Sequence, residues 1–113
     1  MNHAVNTAQM SAFLRAWHWE RHAVRVFEDP AAFTLFRREE LSGMEAALQK
    51  GAGFFLPDFS GPPEDAVEEI MRRRLAPAPL ARAAFGEQAL KTAALLGAEQ
   101  YLILAAGYDT FPY

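Results

Sequence analysis

Cysteine is absent from this 113-residue sequence, which excludes disulfides, thiolate zinc sites and a cysteine nucleophile. Long apolar runs are absent too. No stretch approaches the roughly 20 residues needed to span a bilayer, and Met1 to Ala8 lacks a basic segment followed by an apolar one. No membrane partner is expected, and the cytoplasm is the default location. Charge of one sign is scarce: 11 Lys and Arg against 14 Asp and Glu give a net charge of −3. No basic run of the kind that tracks a phosphate backbone is seen, so nucleic acid is not an expected partner. Internal repeats and low-complexity segments are also missing. What is present is a 51% hydrophobic chain, the size of one domain and apolar enough for a single core.

Helical periodicity dominates the first three quarters. From His3 to Phe27, Val5, Ala8, Ala12, Ala16, Trp19, Ala23 and Phe27 recur at spacings of three and four, with His18 and His22 on the other side of the predicted helix. Asp29-Pro30 then offers an N-cap followed by a proline tolerated in a first turn, so a short helix carrying Phe33 and Phe36 is expected. Leu41, Met44 and Leu48 mark another helical face, and Gly51 suits the left-handed residue that ends such a helix. The stretch 51–63 reads as a loop whose Phe54, Phe55, Leu56 and Phe59 pack onto the core. Glu64, Asp65, Glu68 and Glu69 precede Arg72, Arg73 and Arg74, which complements a helix dipole and describes a solvated face rather than a binding patch. After Ala76-Pro77-Ala78-Pro79 a helix rich in Ala and Leu runs from Leu80 to Leu96 and closes at Gly97; apolar nearly all round, it is expected to be covered on more than one side.

The period changes at residue 100. Gln100-Tyr101-Leu102-Ile103-Leu104-Ala105 is a short continuous apolar run, which reads as a buried strand of parallel type, and Ala106 to Thr110 is the turn at its end. The expectation is thus a mostly α chain of about five helices and one strand. Nothing else in the sequence reads as a strand, yet ladder hydrogen bonds must come from neighbours. Either the natural chain continues, or copies pair through this segment. In open α/β sheets, ligands bind beyond the carboxyl ends of strands, where small residues allow close approach. Ala105-Ala106-Gly107 occupies that place.

The longer pattern, Arg82 through Phe85 and Leu90, then Gly97 to Thr110, resembles the leucine carboxyl methyltransferase-like family of class I S-adenosylmethionine-dependent methyltransferases. That family runs from an Arg through a helix to Gln, an apolar strand and G-A-G-x-D-T-R. Thr7-Ala8, Arg15-Ala16 and Asp29-Pro30 with Ala32 look like its threonine-alanine helix and its D-P-L-A segment. The resemblance implies an N-terminal helical lid over residues 1–76 and, over 77–113, the opening helix and strand of a doubly wound, Rossmann-like α/β domain. It implies S-adenosylmethionine as cofactor, with Arg82 pairing with its carboxylate and the backbone at Ala105 and Gly107 lying against its methionine and ribose portion. The expected reaction is O-methyl transfer to a carboxyl or hydroxyl group of a small molecule or protein. Two positions depart from the family: Ala105 replaces its first glycine, and Phe111 replaces the Arg of D-T-R. The ribose-binding acid and the acceptor contacts follow later in that family, so these 113 residues alone are expected to be inactive, and no catalytic residue is identified.

His18 and His22 have a spacing able to bring two imidazoles to one metal, but no third ligand accompanies them and no metal site is expected. Phe13, Trp17, Trp19 and Phe27 read as core aromatics rather than a ligand cage. Ser11, His18 and Asp29 lack the nucleophile elbow that a hydrolase would need. A second reading of the whole chain is a non-enzymatic helical interaction module that forms a homo-oligomer through Leu102 to Ala105. A third is a βα unit binding a nicotinamide or flavin nucleotide.

Overall fold

The computed structural model describes residues 7–104 and 106–111. Helix α1, Thr7–Arg21, buries Ala12, Phe13, Leu14, Ala16, Trp17 and His18. The helix expected from His3 to Phe27 therefore stops at Arg21, while Val5 lies outside the described residues. Two side chains and a change of composition account for the stop. Val24 and Val26 are β-branched and lose rotamer freedom in a helix. Arg25 donates from Nε and Nη2 to the Trp19 carbonyl at 3.0 and 2.8 Å, with its guanidinium 4.0 Å above the Trp19 ring. The carbonyl is thereby capped without another turn. Trp19 is half-buried beneath that arginine and Ala23 is exposed, so the buried face is carried by Phe13, Leu14 and Trp17 instead.

The Asp29-Pro30 restart is present as a 3₁₀ turn, Pro30–Leu35, rather than an α-helix, with Asp29 Oδ1 accepting from Ala32 N–H at 3.1 Å. Helix α2, Arg38–Lys50, buries Met44 and Leu48 as its spacing predicts. Gly51 corrects an expectation: its φ is −85°, not left-handed. Its carbonyl accepts from the Phe54 and Phe55 N–H groups, so it starts a further short helix, α3, Ala52–Phe55, inside the expected loop. Leu56 is buried and Phe55 and Phe59 pack against the core, whereas Phe54 is 84% exposed.

Helix α4, Ala66–Ile70, continues into a π-helical turn, Met71–Leu75, closed by Ala76 N–H donating to Met71 O at 2.8 Å. The consecutive Ile70 and Met71 at this junction are both fully buried. Arg72 and Arg73 pair with Glu69 at 2.8 and 3.8 Å on the exposed side, the solvated face that the charge order implies. Helix α5, Pro77–Leu95, ends at Gly97 with φ +105°; Ala98 N–H reaches Ala93 O at 3.0 Å and Gly97 N–H reaches Ala94 O at 3.1 Å. These two bonds form a Schellman cap, and the left-handed position explains the glycine.

Phe13, Leu14 and Trp17 of α1 meet Met44 and Leu48 of α2, Leu56, Ile70, Met71 and Leu80 in one core. Leu80 is the buried residue of α5, while Phe85, Leu95 and Leu96 are 76, 88 and 84% exposed. The cover expected on several sides of α5 is thus lacking along its distal half among the described residues. The strand expected over 100–105 is absent there as well, and Leu102 and Leu104 are exposed. The physical reason is the one the sequence raised: no second strand lies among the described residues to take its ladder bonds. No described helix is long and apolar enough to cross a membrane.

The two histidines form a directed relay instead of an exposed pair. Val26 N–H donates to His18 Nε2 at 3.2 Å, which leaves the His18 proton on Nδ1, 2.7 Å from His22 Nδ1; His22 Nε2 in turn lies 3.2 Å from Glu68 Oε1 of α4. Every ring nitrogen is committed when both rings are neutral. Burial, then His22 and Arg25, hold His18 below its ordinary value of 6.5. The unfolded chain therefore takes up a proton at His18 before the folded one does, and stability present above about pH 6.5 is lost as pH falls. Thermal melts between about pH 8 and 5 should show this loss. The His18→Gln variant should show a shallower dependence over the same window; an equally steep one would assign the loss to other groups.

Candidate functional site

A cavity of about 540 Å³ opens where α1, the Asp29-Pro30 turn, α5 and the segment after it converge. Helical spacing explains its walls. Ala8, Ser11 and Arg15 lie three and four apart on one face of α1, and Pro79, Arg82, Ala83, Gly86, Glu87 and Leu90 form one face of α5. Residues 27–31 and the loop from Ala106 to Phe111 close the remaining sides, with Tyr101 beside them. The volume is within the range of small-molecule and cofactor sites.

Arg82 and Gly107, expected far apart in role but near one ligand, line this same cavity. Ala105, expected beside them, lies outside the described residues. Arg82 is exposed and enters no ion pair among the described residues. Gly107 has φ +55°, a left-handed conformation that glycine adopts without the clash a Cβ introduces. The turn around it is fixed by Asp109 N–H donating to Ala106 O at 2.9 Å and by Phe111 N–H donating to Asp109 Oδ1 at 2.9 Å. Asp109 therefore braces the turn. Phe111, in the place of the family's Arg, packs edge-to-face on Tyr101 with centroids 5.4 Å apart.

A buried polar cluster ties this turn to the N-terminal helix. Asp29, 4% exposed, accepts from Thr110 Oγ1 at 2.7 Å on the same Oδ2 that lies 2.9 Å from Arg15 Nε. The Arg15 Nε–H does not point along that line, so the contact is an ion pair without a completed hydrogen bond. Arg15 Nη2 donates to the Tyr108 carbonyl at 2.6 Å, and Tyr108 stacks on Phe36 at 6.3 Å. Sequence reasoning placed Asp29 as a cap and Arg15 and Thr110 as family-like positions, but not as one cluster. The contacts that join the two ends, Arg15 to Tyr108 and Asp29 to Thr110, span 93 and 81 residues and leave no local periodicity to read. Among the described residues no group of three or more His, Asp or Glu side chains could hold a metal.

The chain matches the family model described as leucine carboxyl methyltransferase over residues 8–113. A Bacillus subtilis (strain 168) protein named "Putative S-adenosyl-L-methionine-dependent methyltransferase YktD" is 33% identical over 114 residues, covering 97% of this chain and 38% of that protein. The chain thus spans well under half the length of this curated relative. No solved structure matches.

Proposed function

The chain belongs to the leucine carboxyl methyltransferase family, and from that premise we propose that it supplies the helical cap and the first wall of the cofactor site of an S-adenosylmethionine-dependent O-methyltransferase. The observation that carries the reading is the meeting of Arg82 and the Gly107 turn in one cofactor-sized cavity. The residues present fit such a ligand. Arg82 has a guanidinium fork without an ion-pair partner among the described residues, suited to a carboxylate. Gly107 removes the side chain that would keep a ligand from the backbone.

S-adenosylmethionine, when bound, supplies a methyl group on a sulfonium, open to in-line attack by an acceptor oxygen. The work of this chain is then positional. Arg82 anchors the amino-acid end, the 106–111 loop supports the middle of the ligand, and α1 with the Asp29-Pro30 turn covers it and excludes water. The bare distal face of α5 and the exposed Leu102 and Leu104 are the surfaces that the sheet of a doubly wound domain would cover in this reading. Such a sheet would also provide the remaining cofactor contacts, so the 113 residues alone should bind S-adenosylmethionine weakly and transfer no methyl group.

Calorimetric titration of S-adenosylmethionine into the protein expressed from its complete reading frame tests the proposal. A saturable one-site heat is expected. Absence of heat across a wide concentration range would overturn it.

A further inference from the structure

Two arginines line the cavity, and the structure sorts them into different duties. Arg82 is exposed and lacks an ion-pair partner among the described residues. The Arg15 side chain is only 15% exposed and is held inside the protein: Nη1 lies 3.5 Å from Ser11 Oγ, Nη2 donates to Tyr108 O at 2.6 Å, and Nε pairs with Asp29 at 2.9 Å without a completed hydrogen bond. Its charge is already paired with Asp29. What it holds is informative.

We propose that Arg15 is a positioning residue for the ligand-facing turn, fixing Gly107 directly through Tyr108 and indirectly through Asp29 and Thr110. The inference rests on the S-adenosylmethionine reading of the cavity and adds to it how the ligand-facing backbone is placed. The bonds inside the turn, Asp109 to Ala106 and Phe111 to Asp109, set its shape. They do not set its distance from α1 and the Asp29-Pro30 turn. That distance is set by the Tyr108 carbonyl on Arg15 and the Thr110 hydroxyl on Asp29, with the Phe36–Tyr108 stack beside them. Because the segment before the turn has no strand pairing among the described residues, this clasp is what holds the backbone near Gly107 against the helical body. Arginine is required by geometry: one planar head reaches an acid and a carbonyl together, which the single ammonium of lysine cannot do in the same way. A ligand contact must be held within a fraction of an ångström to retain its affinity.

The test measures S-adenosylmethionine Kd by calorimetry and thermal midpoint in parallel, on the complete protein and on its Arg15→Lys and Thr110→Val variants. Arg15→Lys should raise the Kd by about tenfold. Thr110→Val, which keeps shape and removes one donor, should raise it several-fold while the midpoint falls by only a few degrees. The valine variant decides the matter if the lysine variant fails to fold. Wild-type Kd in a folded variant would overturn the positioning role and leave the cofactor reading intact, whereas absence of binding in the wild-type protein would overturn both.

Discussion

Replacing Asp29 with alanine is expected to destabilise the fold by about 3–5 kcal/mol, the usual cost of leaving one partner of a buried ion pair uncompensated. Three losses coincide at this carboxylate. Arg15 loses its counter-charge, Thr110 Oγ1 loses its acceptor, and Ala32 N–H loses the cap that starts the 3₁₀ turn. Against a total stability of about 5–15 kcal/mol for a domain, the change brings the protein to the edge of unfolding. Asp29→Asn separates the contributions. It retains a capping oxygen and should recover only about 1 kcal/mol, the worth of an N-cap, because the charge on Arg15 stays unpaired. Urea unfolding midpoints of the two variants check this; an alanine variant within about 1 kcal/mol of wild type would show the cluster to be well solvated.

Replacing Arg82 with alanine is expected to do the reverse: little to stability and much to binding. The side chain is exposed, and no ion pair engages it among the described residues, so the thermal midpoint should hardly move. A charge-assisted hydrogen bond to a carboxylate contributes about 1.5–3 kcal/mol, so the Kd for S-adenosylmethionine should rise by about 10- to 100-fold. Arg82→Lys should recover part of this through its charge but not the bidentate geometry. Unchanged affinity in the alanine variant would remove Arg82 from the cofactor site.

What was legible in the sequence was what local pattern determines. The stripe of Leu41, Met44 and Leu48, the Asp29 cap and the closure at Gly97 follow from helical period and capping chemistry, and the structure has all three. The end of α1 was not legible, because the stripe to Phe27 continues on paper while Arg25 turns back to the Trp19 carbonyl in the last turn and His18 takes the Val26 N–H beyond it. His18 was assigned to the wrong side for the same reason: a polar residue with all its hydrogen bonds made can be buried. The continuous apolar run at 100–105 was read as a strand from its change of period, but a strand is a property of two segments and the run has no described partner. The site divides likewise. The motif-like residues Arg82 and Gly107 were singled out in the sequence and line one cavity, whereas the contacts that tie Arg15 to Tyr108 and Asp29 to Thr110 span more than 80 residues.

The central claim is that Arg82 and the Gly107 turn face one bound S-adenosylmethionine. The most direct measurement is a titration of the isotopically labelled protein with S-adenosylmethionine, followed through its amide and guanidinium resonances. The account predicts saturable shifts concentrated at the Gly107, Tyr108 and Thr110 amides and at the Arg82 Nε–H. Saturation that leaves these four signals unmoved while others shift would contradict it.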